Sequence, residues 1–168
     1  MNAKDPSIAN STDELRASIA EQSRSAAPTF FHLRAQLHKQ GRTDTPMAAT
    51  DRMWVVLKTY ANDGENQLHA HPNEDHVFLV LQGEADFHGP KGETRHVAKN
   101  DGILIPRGSF YWFKSSGDVP LVMARVGAVV DAAKDPLGRI DSEGRDMDGY
   151  SAANKQTEVI LHEGRFFE

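Results

Sequence analysis

Apolar and polar residues alternate over many short stretches of this chain, and that pattern predicts strands rather than long helices. Strands are predicted at residues 52–60, 77–81, 84–88, 93–98, 102–105, 110–113 and 119–130. Glycine and proline interrupt the pattern between them, as in the turn at 89–92. No repeated order of strand, helix and parallel strand is found, so the pattern predicts an all-β barrel or sandwich.

One helix is expected, close to the N-terminus. Ser11 and Glu14 form an S-x-x-E pattern ahead of Leu15 and Ile19, which are spaced to lie on one helical face. We therefore expect a short helix over residues 12–24, after a polar N-terminal segment.

Residues 30–38 fit two interpretations. As a helix, Phe30, Leu33 and Leu37 would share one stripe; as a strand, every second residue is apolar and faces one way. The strict alternation favours the strand, which could pair with the sheet edge of a partner subunit. The residues that follow, 41–50, are expected to form a loop.

The C-terminal region differs from the rest of the chain. Residues 131–168 carry many charges, several glycines and a single apolar cluster at 159–161. The region is too long for an ordinary loop, so we expect an extended arm that lies on the barrel or on a neighbouring subunit. The predicted organisation is an N-terminal extension with the short helix (1–28), a β-barrel (29–130) and this arm.

Composition excludes several classes of function. The chain has 168 residues, which suits one domain with its own core. A net charge of −5 without a basic stripe argues against nucleic acid, and no apolar run approaches the length that spans a membrane. The N-terminus lacks the apolar segment of a signal peptide, so a cytoplasmic location is expected. Because cysteine is absent, a metal would have to use histidine, carboxylate, tyrosine or water.

The residues best suited to bind a ligand or take part in a reaction lie at 64–83, where three histidines fall close together. His69 and His71 are two positions apart, so on a strand both rings leave the same face. A turn at 72–75 leads into the next strand and brings His76 back toward the first two rings. Three neutral imidazoles that converge from adjacent strands suit a divalent metal ion.

The same stretch resembles the first motif of the cupins, small β-barrels that usually hold one metal ion. That motif has a glycine, then HxH, three or four residues, a glutamate, six residues and a second glycine. The positions that match are Gly64, His69, His71 and Gly83. His76 stands where the glutamate would be, and Asp75 is the other residue that could fill this position.

Residues 100–113 resemble the second cupin motif, whose core is PxGxxH. Pro106 and Gly108 match, and Tyr111 occupies the place of the histidine. Asn100 replaces the glycine with which that motif begins.

The resemblance covers about residues 50–130 and implies a cupin-type double-stranded β-helix, or jelly-roll barrel. It also implies one divalent metal ion per chain, bound by His69, His71 and His76. Iron, nickel, zinc, copper and manganese are not distinguished. Acceptors for the ring nitrogens that do not face the metal are expected among the neighbouring residues Glu65, Asn73 and Glu74.

Tyr111 has three possible roles. An isolated phenol ionises at about pH 10, and a nearby dication would favour the phenolate. Tyr111 could therefore bind the metal or act as a general base, as a tyrosine does in a few cupin lyases, or it could be a core aromatic. Phe78 shares the inward face of His76, and Phe113 that of Tyr111, so both are expected to line a substrate pocket.

The predicted function is that of a small metal-binding cupin that acts on a small organic molecule, as an oxygenase, an isomerase or a lyase. The alternative is a non-catalytic binding or accessory cupin that has lost its metal. Arg52, Lys58 and Arg125 lie on predicted strands with no assigned direction. One that pointed inward would imply a carboxylate-bearing substrate, whereas a solvent-facing side chain is the default.

Two apolar surfaces need a cover. Val77, Leu79 and Leu81 share the outer face of one predicted strand, and the strand at 30–38 has an apolar face of its own. We therefore expect a homodimer in which the N-terminal segment lies against the partner subunit.

Overall fold

The computed structural model describes residues 7–168, so the first part of the predicted N-terminal extension lies outside the described range. This range folds mainly as antiparallel strands. The elements in chain order are helix α1 (Thr12–Gln22), strands β1 (Ala35–Gln40), β2 (Arg42–Ala49), β3 (Met53–Tyr60), β4 (Glu74–Gln82), β5 (Glu84–His88), β6 (Thr94–Ala98), β7 (Gly102–Ile105), β8 (Trp112–Ser115) and β9 (Leu121–Val129), a 3-10 turn (Ala152–Asn154) and strand β10 (Ile160–Phe167).

The strands form two main sheets and one short pair. The larger sheet has the order β2-β3-β9-β4-β7, the smaller one has the order β6-β5-β8, and β1 pairs with β10. Every pairing between these strands is antiparallel. The all-β prediction is therefore confirmed, together with the single short helix near the N-terminus.

The core between the two sheets is aromatic at one end of the barrel. Phe78 from the larger sheet is buried against Phe87 and Phe113 from the smaller one, and Tyr60 packs edge-on against Phe113. The rings of Phe87 and Phe113 are stacked, with centroids 4.6 Å apart. Burial of such large side chains is the main driving force for joining the two sheets.

Helix α1 packs on its own barrel. Leu15 and Ile19 are buried with Trp54 and Val56 of β3, because their spacing places them on one face of the helix. The hydroxyl of Ser11 accepts a hydrogen bond of 3.1 Å from the backbone N–H of Glu14 and so caps the first turn.

The prediction of a loop at 41–50 is wrong, because β2 occupies most of it. Its sequence is polar, yet Arg42 and Asp44 are buried and their side chains have partners inside the barrel. β2 pairs with β3 along its whole length, interrupted by one bulge after Pro46. A strand whose inward face is charged does not show the alternation that sequence patterns rely on.

The strand predicted at 30–38 is only partly correct. β1 begins at Ala35, and Phe30 and Phe31 are exposed. β1 pairs with β10 of the same chain, and its pairing with the sheet edge of a partner subunit stays a prediction.

The C-terminal arm lies on the barrel of its own chain. Ala70 and Ile140 exchange backbone hydrogen bonds of 3.0 Å, and the side chain of Asn154 accepts one of 3.1 Å from the N–H of Gln67. Further along, Phe167 of β10 packs beside Ala35 in a cluster that covers the outer face of the larger sheet. The arm therefore crosses the barrel end that carries the histidines.

Two turns of the predicted motifs need a left-handed backbone. Gly83 has φ +75°, and a Cβ there would come within 2.9 Å of the Cα of Leu121. Asn100, which replaces a motif glycine, has φ +77°. Asparagine tolerates this conformation better than most other residues, so the turn survives the replacement.

Candidate functional site

The predicted site residues come together inside the barrel. Residues 69 and 111 pair through backbone hydrogen bonds of 3.1 and 3.0 Å, and His76 faces inward from β4. The ring centroids of His69 and His71 are 5.1 Å apart, as are those of His71 and His76. The ring of Tyr111 lies 4.5 Å from that of His69. All four side chains are buried.

The protein fixes the orientation of two of these rings. Nδ1 of His69 lies 2.7 Å from the carbonyl oxygen of Gln67, and Nδ1 of His71 lies 3.0 Å from that of Gly138. A carbonyl can only accept, so each Nδ1 carries the proton and each Nε2 keeps a lone pair. Nε2 of His69 is buried and has no hydrogen-bond partner among the described residues.

His76 and Tyr111 form a direct pair. The Tyr111 hydroxyl lies 3.0 Å from Nε2 of His76. Burial raises the pKa of the Tyr111 phenol, so at neutral pH it keeps its proton and can donate it to Nε2. Nδ1 of His76 then carries the ring proton and lies 3.6 Å from Oε1 of Glu74.

Burial lowers the pKa of all three histidines, and neighbouring arginines lower it further. The pKa of His76 falls to about 2. The rings are therefore neutral at physiological pH, which is the protonation state that binds metal ions.

Two important neighbours are Glu74 and Arg125. Arg125 donates a hydrogen bond of 2.5 Å to Oε2 of Glu74, and both side chains are buried. Burial raises the pKa of Glu74 to about 7, against the opposing effect of Arg125. Three acceptors are expected beside the histidines, and among the described residues only Glu74 lies next to the rings, close to His71 and His76. Glu65 instead pairs with Lys155, and Asn73 bonds Asp131.

Arg125 and Lys58 point inward, so the default of solvent exposure is wrong for both. β9 pairs Arg125 with Phe78 of β4, which places it on the inward face. Lys58 forms an ion pair with Asp44, and the hydroxyl of Tyr150 donates 2.8 Å to the same carboxylate. Arg52 remains exposed.

The site contains donors suited to a metal, although they are not yet converged on one point. The described residues contain no group of three or more potential ligands already arranged to hold an ion. Two of the ring nitrogens have other neighbours: the Tyr111 hydroxyl lies 3.0 Å from Nε2 of His76, and Nη2 of Arg125 lies 3.4 Å from Nε2 of His71. The unpartnered Nε2 of His69 and the fixed tautomer of His71 nevertheless fit an ion that draws imidazole donors.

Phe78 and Phe113 belong to the aromatic core. The Phe78 ring lies 5.3 Å from His76 and packs against Phe113, so both are close to the site. Neither lines the polar cavity beside Arg125, and their role in a substrate pocket stays a prediction. Asp75, the alternative to His76, lies toward the surface and bonds Arg107.

The remaining histidines do not join the site. His38 is buried beside Thr43, His88 stacks on Trp112, and His96 is an exposed partner of Asp86. They are scattered surface or structural residues. Among residues 7–168, no helix has both the length and the apolar character needed to cross a membrane.

Comparison with known sequences identifies part of the chain. Residues 56–127 match the family model of the cupin domain (Cupin_2). Over 52 residues the chain is 38% identical to the uncharacterized protein YdbB of Bacillus subtilis. The matched stretch covers 31% of this chain and 46% of that protein. The chain thus spans about half the length of this curated relative.

Solved structures share the fold. KdgF from Halomonas sp. aligns with a TM-score of 0.52 at 19% identity, over 64% of this chain and 100% of that chain. An RmlC-like cupin from Shewanella frigidimarina aligns with a TM-score of 0.51 at 14% identity, over 63% of this chain and 93% of that chain. At these identities the likeness concerns the fold alone.

Proposed function

This chain belongs to the cupin superfamily, and from that premise we propose that it is a metal-binding cupin that acts on a small organic molecule inside its barrel. The supporting observation is the orientation of His69 and His71. Backbone carbonyls hold both rings at Nδ1, which leaves Nε2 of each ring unprotonated inside the barrel. Metal-bound histidines in proteins are held in the same way.

The ligands of a divalent ion would be His69, His71 and His76. When bound, such an ion would act as a Lewis acid, a role that an oxygenase, an isomerase or a lyase could use. His76 becomes available through Nε2 once the Tyr111 hydroxyl no longer donates to it. Tyr111 would then lie close to the reacting molecule, as a general acid while its hydroxyl keeps the proton or as a general base once the hydroxyl is ionised.

Metal content tests the proposal. Protein purified without chelator, or reconstituted separately with Fe²⁺, Ni²⁺, Zn²⁺, Cu²⁺ or Mn²⁺, should contain about one ion per chain by elemental analysis. His71→Ala should lose stoichiometric binding because it removes one donor. His69→Gln provides a second variant, and His96→Ala is the matched control because His96 is exposed and bonded only to acidic side chains.

Circular dichroism confirms that each variant is folded before its metal content is compared. Unchanged metal content in both His71→Ala and His69→Gln would refute the site assignment. Tyr111→Phe separates the roles of the hydroxyl: weaker metal binding identifies a ligand. Intact binding with activity reduced ~100-fold or more identifies a general acid or base.

A second candidate function is a metal-free binding or accessory cupin. The observation that favours it is the contact between Nη2 of Arg125 and Nε2 of His71, which puts a cation where a metal ion would sit. The absence of bound metal after reconstitution with all five ions would support this candidate and exclude the first.

A further inference from the structure

A small cavity of about 30 Å³ lies beside His71, on the side of β2 and β3. Its walls come from four parts of the chain: helix α1, the inward face of the larger sheet, the segment between β3 and β4, and the C-terminal arm. Four basic side chains line it, namely Arg42, Lys58, Arg125 and Arg139. This concentration of positive charge inside a barrel needs compensation, because an unpaired buried charge is costly.

The protein supplies only part of that compensation. Asp44 pairs with Lys58, and Glu74 pairs with Arg125. Among residues 7–168, neither Arg42 nor Arg139 has a carboxylate within ion-pair distance. The mutual repulsion contributes to the pKa of Lys58, which burial, Arg125 and Arg139 together lower to about 8 despite the opposing effect of Asp44.

Three guanidinium groups present buried N–H donors with no acceptor. These are Nη1 of Arg42, Nε of Arg125 and Nη1 of Arg139, none of which finds a partner among the described residues. Arg42 and Arg125 are only 8% and 4% exposed, so water does not freely reach these donors. Buried donors in native proteins are nearly always satisfied, which indicates a missing acceptor.

The arm holds one of these arginines in place. Nη2 of Arg42 donates to the carbonyl oxygens of Gly149 at 2.9 Å and of Asn154 at 2.7 Å. Its position is therefore fixed before any ligand arrives, while Nη1 stays free. Such preorganised donors bind an anion without the entropic cost of ordering a flexible side chain.

We propose that this cavity binds the carboxylate of a small organic acid. A carboxylate is planar and accepts paired hydrogen bonds from guanidinium groups, and one negative charge offsets part of the excess of two cations. The cavity has room for a group of this size but not for a nucleotide.

The anion site rests on the proposed function in one respect only: the part of the bound acid beyond its carboxylate would have to extend toward the histidines. His71 lines the cavity and lies beside Arg125, so a molecule anchored here reaches the candidate metal site. The anion site itself needs no metal. If the site binds the substrate, the substrates are small carboxylic acids.

Binding of simple probes tests the proposal. Calorimetry at pH 7 and constant ionic strength would compare acetate, pyruvate and malonate with inorganic phosphate, on both chelator-treated and metal-loaded protein. At least one carboxylate should bind saturably in both forms. Arg139→Gln should weaken that binding about tenfold or more, because it removes a charged donor without breaking an ion pair.

Arg145→Gln is the matched control, since Arg145 lies in the same arm but is exposed and pairs with Asp141. It should leave carboxylate binding unchanged. Arg42→Lys is the second variant, which retains the charge but loses the fork that bonds both the arm and a ligand, so it should also weaken binding.

The outcomes separate this proposal from the metal proposal. Carboxylate binding that persists in His71→Ala supports an anion site even if no metal is found. Metal binding without carboxylate binding overturns the anion site and leaves the proposed function standing. Binding of phosphate alone, or carboxylate binding equal in wild type, Arg139→Gln and Arg42→Lys, also overturns it.

Discussion

His38 illustrates how a single buried ring couples stability to pH outside the site. Its side chain is buried and Nε2 lies 2.9 Å from the hydroxyl of Thr43. Burial lowers its pKa from 6.5 to about 4, so the folded protein holds the ring neutral. Between those two values the unfolded chain binds a proton that the folded chain does not.

The free energy of unfolding should therefore fall as pH drops from 6.5 to 4. Above pH 6.5 the ring is neutral in both states, so His38 causes no such loss of stability there. The variant His38→Gln should lack this pH dependence, because glutamine does not titrate. The destabilisation caused by the substitution should shrink by ~2–3 kcal/mol between pH 7 and pH 4.5, measured by urea unfolding. His32→Gln, at an exposed ring, is the control. An equal effect of His38→Gln at both pH values would contradict the argument.

The site residues differ in how far sequence could predict them. The spacing of His69, His71 and Tyr111 within the two motifs is local information, and the structure brings the three together. Whether Arg125 faces inward depends on which alternate residues of β9 face the core, and only the pairing of β9 with β4 reveals this. Gly127 is similar: a Cβ there would lie 2.4 Å from Oε1 of Glu74, so its missing side chain makes room for that carboxylate.

Among the elements, helix α1 and several short strands follow from local pattern, whereas β2 does not. The strands β5 and β7 match their predicted bounds because their alternation and flanking turns are unambiguous. The sequence of β2 is typical of a loop, because its inward face is charged and is buried only through Lys58 on the next strand and Tyr150, which is 106 residues away.

The cap of α1 provides a test at this scale. Ser11→Ala removes the acceptor for the N–H of Glu14 and should lower the free energy of unfolding by ~1 kcal/mol. Denaturant unfolding measures the change, with Ser7→Ala as control because Ser7 precedes the helix and is exposed. Equal stability of the two variants would mean that the cap contributes nothing to the docked helix.

At the scale of the whole molecule, the structure changes the reason for expecting a homodimer. Helix α1 packs on its own barrel, whereas Phe30 and Phe31 of the segment that follows it are exposed. An apolar surface remains on the larger sheet, where Leu79 is 45% exposed and Leu104 of the edge strand β7 is 71% exposed. The homodimer thus stays a prediction, with this surface as the place where two copies would meet.

Light scattering at micromolar concentration should return the mass of two chains. Leu104→Glu should shift it toward one chain, because it would bury a charge in the interface. Val119→Glu is the control, since Val119 is 53% exposed and lies in the loop between β8 and β9. A monomer mass for the wild type would exclude the homodimer.

The pairing of β1 with β10 has a consequence for the order in which the barrel folds. It joins residues 35–40 to residues 160–167, so its contacts close one of the longest loops in the chain. Contacts of such high contact order carry a large loop-closure entropy and are slow to form. The arm that fixes Arg42 runs into β10, so it gains its distal anchor only at this step. We therefore expect the cavity to be completed late in folding, after the aromatic core has joined the two sheets.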